Sequence, residues 1–204
     1  MLLAATASPA PGEAQETPSG PVVALDVEQA AEPLGTIKMV LLPDKAPISV
    51  ENFLGYLRAG HYDGTVFHRV MPNFMIQGGG YTPEMEEKPQ RPPIRNEARN
   101  QVRNSRGTVA MARTNDPHSA TSEFFINVRD NHNLDFGIGG AGYAVFAQVI
   151  EGMEVADRIA QTPTTRRGVH ETTPTRPVLI TRAYEVVPSA PPPAPPPAPD
   201  APPR

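Results

Sequence analysis

Arg69 carries the only guanidinium in the fourteen-residue stretch Phe67-His68-Arg69-Val70-Met71-Pro72-Asn73-Phe74-Met75-Ile76-Gln77-Gly78-Gly79-Gly80, and most of its neighbours are aromatic or apolar. A guanidinium keeps its charge at any working pH, so in apolar company it is paired, reaches to water, or is presented to a ligand. Two other groupings hold residue types that could do chemistry. His68, His118 and His132 with Asp135 and Ser122 contain the ingredients of a hydrolase triad or a metal site. The chain has neither the G-x-S-x-G elbow nor the H-E-x-x-H helix that would support one, and no metal site is expected. Gly137 to Gly142 matches G-x-G-x-x-G. A dinucleotide site needs that motif between a strand and a helix, and here a strand follows, so it reads as a mobile glycine-rich loop.

The elements that must position Arg69 follow from the same stretch. Thr65 to Val70 and Phe74 to Gln77 are rich in β-branched, aromatic and apolar residues, which suits two short strands. Pro72-Asn73 sets a turn between them, and Gly78 to Gly80 permits a second sharp bend. Period-2 alternation in the first strand puts Phe67 and Arg69 on one face and His68 and Val70 on the other. Further strands are predicted at 21–27, 35–41, 107–112, 123–128, 143–149 and 177–187, with a turn through Glu32 to Gly35 between the first two. Val50, Phe53, Leu54 and Leu57 fall at i, i+3, i+4 and i+7, giving a helix over 47–59 that opens on Pro47 and stops at Gly60. A second helix is predicted over 152–161, and 81–101 reads as a long surface loop. About eight short strands, with helices only near each end, do not form a βαβ series. The reading is all-β with two helices: a closed eight-stranded antiparallel β-barrel capped by a helix at each end, closure being the way to remove exposed edges.

Phe67-His68-Arg69, Phe74-Met75 and Gln77-Gly78-Gly79 together resemble the cyclophilin family of peptidyl-prolyl cis-trans isomerases. Gly107 to Arg113, Ser122 to Asn127 and Val145 to Met153 are similar to that family's later blocks, in order, and the likeness spans about 33–187 with the flavour of the bacterial branch. The resemblance implies the same capped barrel with a groove on its outer surface, and rotation about X-Pro bonds in unfolded or folding proteins without cofactor or covalent intermediate. That rotation costs about 18–20 kcal/mol through amide resonance, so the site must favour the twisted amide, in which the nitrogen lone pair is localised.

By the same resemblance Arg69 falls at the catalytic position. Phe74, Met75, Phe125 and Leu134 match the proline pocket, while Gln77, the Ala112 main chain and Arg113 match the groove for substrate backbone. Glu123 and Tyr143 belong to the expected substrate-binding set as departures, Glu123 standing where Gln is frequent and Tyr143 where His is common. Asn133 replaces a pocket-edge Trp, which puts tight cyclosporin binding in doubt. As an acceptor, Glu123 could pair with Arg69 or Arg113 and compete with substrate. The alternative function is a peptide-binding holdase that uses the same groove with little turnover.

The 204 residues suit one domain, expected at 21–187, between a leader (1–20) and a proline-rich tail (188–204) that holds ten of the 26 prolines; both ends are expected to be disordered. A net charge of −4 gives no electrostatic case for nucleic acid or an anionic membrane. No apolar run is long enough to span a bilayer, and the lack of cysteine excludes disulfides and thiolate chemistry. The expected partners are proline-containing segments of client proteins, bound by a monomer. The apolar start with Ala5-Thr6-Ala7 resembles the end of an export signal, so the expected compartment is the periplasm, with the cytoplasm as alternative.

Overall fold

A computed structural model describes residues 20–138 and 140–187. The expected leader, apart from Gly20, and the expected tail lie outside the described residues. In chain order the elements are β1 (Val22–Gln29), β2 (Glu32–Leu41), α1 (Pro47–Arg58), β3 (Thr65–Val66), β4 (Arg69–Met71), β5 (Met75–Gly78), β6 (Thr108–Met111), β7 (Phe124–Asn127), β8 (Val145–Glu151), α2 (Met153–Ala160), β9 (Thr164–Arg167), β10 (His170–Pro174) and β11 (Val178–Val186). The fold is mostly β with two helices.

Nine strands form one curled antiparallel sheet in the order β3-β11-β1-β2-β8-β6-β7-β5-β4, and β9 and β10 form a separate hairpin. The inward rows read directly from the sequence: Val23, Leu25 and Val27 of β1 and Ile37, Met39 and Leu41 of β2 alternate into one core. Phe53 of α1 fills the middle of it, stacked on Tyr62 at 4.8 Å and set against Phe146 at 5.2 Å and Phe124 at 5.6 Å between ring centroids. Val155, Ala156 and Ile159 of α2 bury themselves in the same core.

Ala46 gives α1 no side-chain cap. Glu97 supplies one from a distance: its carboxylate accepts the Ile48 N–H at 3.1 Å, the Ser49 N–H at 2.8 Å and the Ser49 hydroxyl at 2.7 Å. A carboxylate there satisfies orphan donors and meets the positive end of the helix dipole.

Three expectations change. The β1–β2 turn lies at Ala30-Ala31, not within Glu32 to Gly35, and both alanines sit at positive φ, +54° and +64°. Gly35, at φ +129°, lies beside a register shift near that end of the β1–β2 ladder. The predicted strand Thr65 to Val70 breaks at Phe67-His68, so the sheet counts nine strands where eight were expected. Its first part pairs with β11 and its second with β5. The break also undoes the predicted alternation, because Phe67 and Val70 both enter the main core whereas Arg69 stands half-exposed on the other side. Finally, the β9–β10 hairpin occupies a Thr- and Arg-rich stretch without apolar alternation.

Candidate active site

β4, β5, the end of β6, β7 and the loop before β8 converge on a cavity of about 230 Å3. Its lining unites Arg69, Phe74, Met75, Gln77, Ala112, Arg113, Phe125, Leu134 and Tyr143. Nine of the ten residues singled out in the sequence therefore share one hollow. Met75, Ala112 and Phe125 form a small apolar cluster with Ala110 and Val145, and Phe74, Leu134 and Tyr143 pack against it at the rim. That cluster is separate from the main core and gives the cavity a buried apolar floor.

Each wall has a visible support. Phe74 follows Asn73, which takes φ +58° in the turn between β4 and β5. The Phe74 carbonyl accepts a 2.8 Å hydrogen bond from the buried Asn131 amide, which also donates to Asn127 Oδ1 at 2.7 Å. Leu134 closes a 3-10 turn over His132–Leu134. Tyr143 meets Phe125 edge to face at 5.6 Å and carries the Arg113 guanidinium 4.3 Å above its ring. Arg113 is further tied to the Gly142 and Thr114 carbonyls at 3.1 and 2.8 Å.

Arg69 is half-exposed. Its Nη1 donates to Gln77 Oε1 at 3.1 Å and its Nη2 to Met71 Sδ at 3.3 Å, which leaves further N–H groups of its five for a ligand. Gln77 in turn donates its Nε2 to Glu123 Oε2 at 2.7 Å, and the same oxygen lies 3.2 Å from Nε2 of the buried His68. Glu123 is thus the one predicted site residue that stands outside the apolar cavity. The expected ion pair with Arg69 or Arg113 gives way to Gln77 and His68, because Gln77 lies between the carboxylate and Arg69. Burial pushes the Glu123 carboxyl up. The hydrogen bond and charge of His68, aided by the Gln77 amide, outweigh burial and hold it below the usual carboxylate range. His170 and Tyr81 enclose the His68 ring at centroid distances of 5.2 and 4.6 Å.

A second cavity of about 390 Å3 adjoins the first, sharing Arg69, Gln77, Ala112 and Arg113 and extending to Glu123, Ser119 and His170. The triad ingredients do not assemble. Ser122 is buried with its hydroxyl on Gln90 Oε1 at 3.1 Å, His118 Nδ1 accepts the Asn96 N–H at 3.1 Å, and His132 pairs with Asp135 at 3.2 Å. Among the described residues no cluster of three His, Cys, Asp or Glu side chains could hold a metal.

The family described as cyclophilin type peptidyl-prolyl cis-trans isomerase/CLD matches residues 24–185. The chain belongs to the cyclophilin family. Among the relatives of this cyclophilin is peptidyl-prolyl cis-trans isomerase A of Dickeya dadantii, 52% identical over 149 residues, a span of 73% of this chain and 78% of the relative. A peptidyl-prolyl cis-trans isomerase of Acinetobacter baylyi is 55% identical over 147 residues, covering 72% and 78%. Peptidyl-prolyl cis-trans isomerase B of Escherichia coli is 52% identical over 149 residues, covering 72% and 91%. In three dimensions the chain is similar to a cyclophilin-type isomerase of Cryptosporidium parvum, crystallised in the presence of the dipeptide Ala-Pro. The TM-score is 0.69 at 23% identity, over 81% of this chain and 99% of the other, a likeness of fold.

Asn131, His170 and Tyr81 support this cyclophilin's site and were not singled out from sequence. Asn131 acts through a buried amide contact to a distant carbonyl, and His170 arrives on the hairpin that sequence patterning leaves unmarked. Only the aromatic ring of Tyr81, next to the triple glycine, gave any local signal.

Proposed function

We propose that this cyclophilin accelerates rotation about X-Pro bonds of client chains by presenting Arg69 to a proline seated on Phe74, Met75, Phe125 and Leu134. One observation carries the reading: the half-exposed guanidinium and the apolar floor line the same small cavity. A proline ring gains by leaving water for that floor. The remaining Arg69 donors then meet the prolyl amide, where they stabilise the twisted state in which resonance is lost and the nitrogen lone pair is localised. The fork is preorganised by Gln77, so little reorganisation is needed at the moment of rotation. Gln77, the Ala112 main chain and Arg113 form the seam between the two cavities and grip the backbone preceding the proline. No bond is made or broken.

We infer further that β3 and β4 are one interrupted strand. On that reading the nine segments amount to an eight-strand closed barrel, with Phe67-His68 as the place where the chain passes from one neighbour to the other.

The test is the cis-to-trans relaxation of an Ala-Pro-Phe type peptide, followed by protease coupling or NMR exchange. Wild-type protein is expected to exceed the spontaneous rate of tens to hundreds of seconds. Tight peptide binding with no acceleration would overturn the enzymatic role in favour of a holdase.

A further inference from the structure

A third cavity, about 470 Å3, lies on the far side of the 3-10 turn from the apolar hollow. The turn separates them residue by residue: Leu134 opens on the apolar cavity, while His132 and Asp135 open on this one. Val102 forms part of its back wall and packs against the same apolar cluster as Leu134, so the two hollows are neighbours sharing one partition.

The lining is positive and partly apolar. Arg99 and Arg103 are exposed, and among the described residues neither guanidinium has a carboxylate partner. Phe136 and Ile138 stand 44% and 68% exposed beside them. Arg99 is stacked 4.7 Å above the Phe136 ring, which limits its freedom and leaves its edge N–H groups unspent. Among the described residues Asp135 is the single carboxylate on the wall, and it is already occupied. Its Oδ1 accepts the Asn104 N–H and amide at 2.7 and 3.1 Å, and its Oδ2 faces His132.

The backbone that bears the two arginines is fixed. Asn100 donates to the Val145 carbonyl at 2.9 Å and accepts the Val102 N–H at 3.1 Å, and the fully buried Asn104 is held by Asp135. Gln101 between them takes φ +63°. Anchored asparagines therefore alternate with the arginines, so the backbone that carries both guanidinium groups is ordered before binding.

We infer that this groove takes an acidic segment carrying an aromatic or aliphatic side chain, belonging to the client polypeptide whose proline occupies the neighbouring cavity. The carboxylates meet Arg99 and Arg103, and the apolar side chain covers Phe136 and Ile138. The inference rests on the isomerase reading for the identity of the occupant, and the groove itself is testable without it.

Two measurements separate those questions. In the first, a proline-free fluorescent peptide with two Glu and one Phe, and its Gln counterpart, are titrated against wild type and the Arg99→Glu/Arg103→Glu variant at low salt. The acidic peptide is expected to bind wild type roughly three- to tenfold tighter than the Gln peptide and to lose that advantage in the variant and at high salt. In the second, kcat/KM is compared for a short Ala-Pro-Phe type peptide and for the same peptide extended by the acidic segment on either side. The extension should raise kcat/KM in wild type only, and the short peptide should be turned over equally by both proteins. Equal binding of acidic and Gln peptides, or an undiminished preference in the variant, would overturn the groove. Full displacement of the acidic peptide by millimolar inorganic phosphate would reduce it to a simple anion site and overturn the client assignment. Failure of the short peptide alone would count against the isomerase reading and leave the first measurement to decide the groove.

Discussion

Gln77 faces Arg69 with its oxygen because Glu123 has taken its nitrogen. The amide spans 2.7 Å to the carboxylate on one side and 3.1 Å to the guanidinium on the other. An ionised carboxylate only accepts hydrogen bonds, so it fixes the orientation of the Gln77 amide and, through it, the pose of Arg69.

Replacing Arg69 tests the cation itself. Arg69→Ala is expected to lower kcat/KM on an Ala-Pro-Phe type peptide by about 10²–10³-fold, the scale for losing a preorganised charge-stabilising donor. The melting temperature should stay close to wild type, since the side chain is half-exposed and makes no ion pair among the described residues. Arg69→Lys should recover little, because it keeps the charge but loses the planar fork.

Glu123 governs an acid limb. Its carboxyl is held below the usual carboxylate range, so folding favours the ionised form. Its contribution is present above the unfolded-state value and is lost as pH falls through the lower folded one. Wild-type kcat/KM should therefore persist through mild acid and fall once Glu123 is protonated, when its proton-bearing oxygen no longer serves as a plain acceptor for Gln77. A pH profile of Glu123→Gln is expected to lack that limb and to run several-fold lower at neutral pH, roughly the cost of one charge-assisted hydrogen bond shared between two amide orientations. A wild-type-like profile in the variant would refute the positioning role.

The apolar floor divides into a part that folds and a part that binds. Phe125, 4% exposed, is expected to cost about 3–5 kcal/mol on truncation to Ala, visible in denaturant unfolding. Leu134 is only half-buried, so Leu134→Ala should cost about 1 kcal/mol. Its principal effect should be a higher KM with unfolding nearly unchanged.

The β1–β2 turn offers a gain in stability away from the site. An L-residue pays roughly 1–2 kcal/mol in the left-handed region, and both Ala30 and Ala31 occupy it. Asn-Gly is the pair favoured where both central residues of a two-residue hairpin turn need positive φ. Ala30→Asn with Ala31→Gly is expected to add about 1 kcal/mol to unfolding free energy and to leave kcat/KM unaltered.

The sequence was most informative where one local rule decided the outcome. The i, i+3, i+4, i+7 pattern placed α1 to within a residue, and Met75, Phe125, Leu134 and Tyr143, taken from the resemblance as expected site residues, line one cavity with Arg69. What stayed hidden depends on partners far along the chain. The break at Phe67-His68 arises because two different strands claim the halves of one apolar run. The Gln77 and His68 contacts of Glu123 join residues 46 and 55 positions away. Ala30-Ala31 carries no turn chemistry at all, and the Thr-rich hairpin β9–β10 lacks the apolar alternation that marks a strand.

Thr65 and Val66 find their partners in Ile180 and Leu179, near the close of the domain. During synthesis the ladder between β3 and β11 thus forms only after more than a hundred further codons, whereas the Val66 N–H finds the Tyr81 carbonyl early. A ribosome-bound chain stopped before β11 holds every side chain of the proline cavity yet lacks the strand that steadies the segment bearing its arginine. If the proposed site needs that strand, isomerase activity of such a ribosome-bound chain is expected only once nearly all of the domain has emerged.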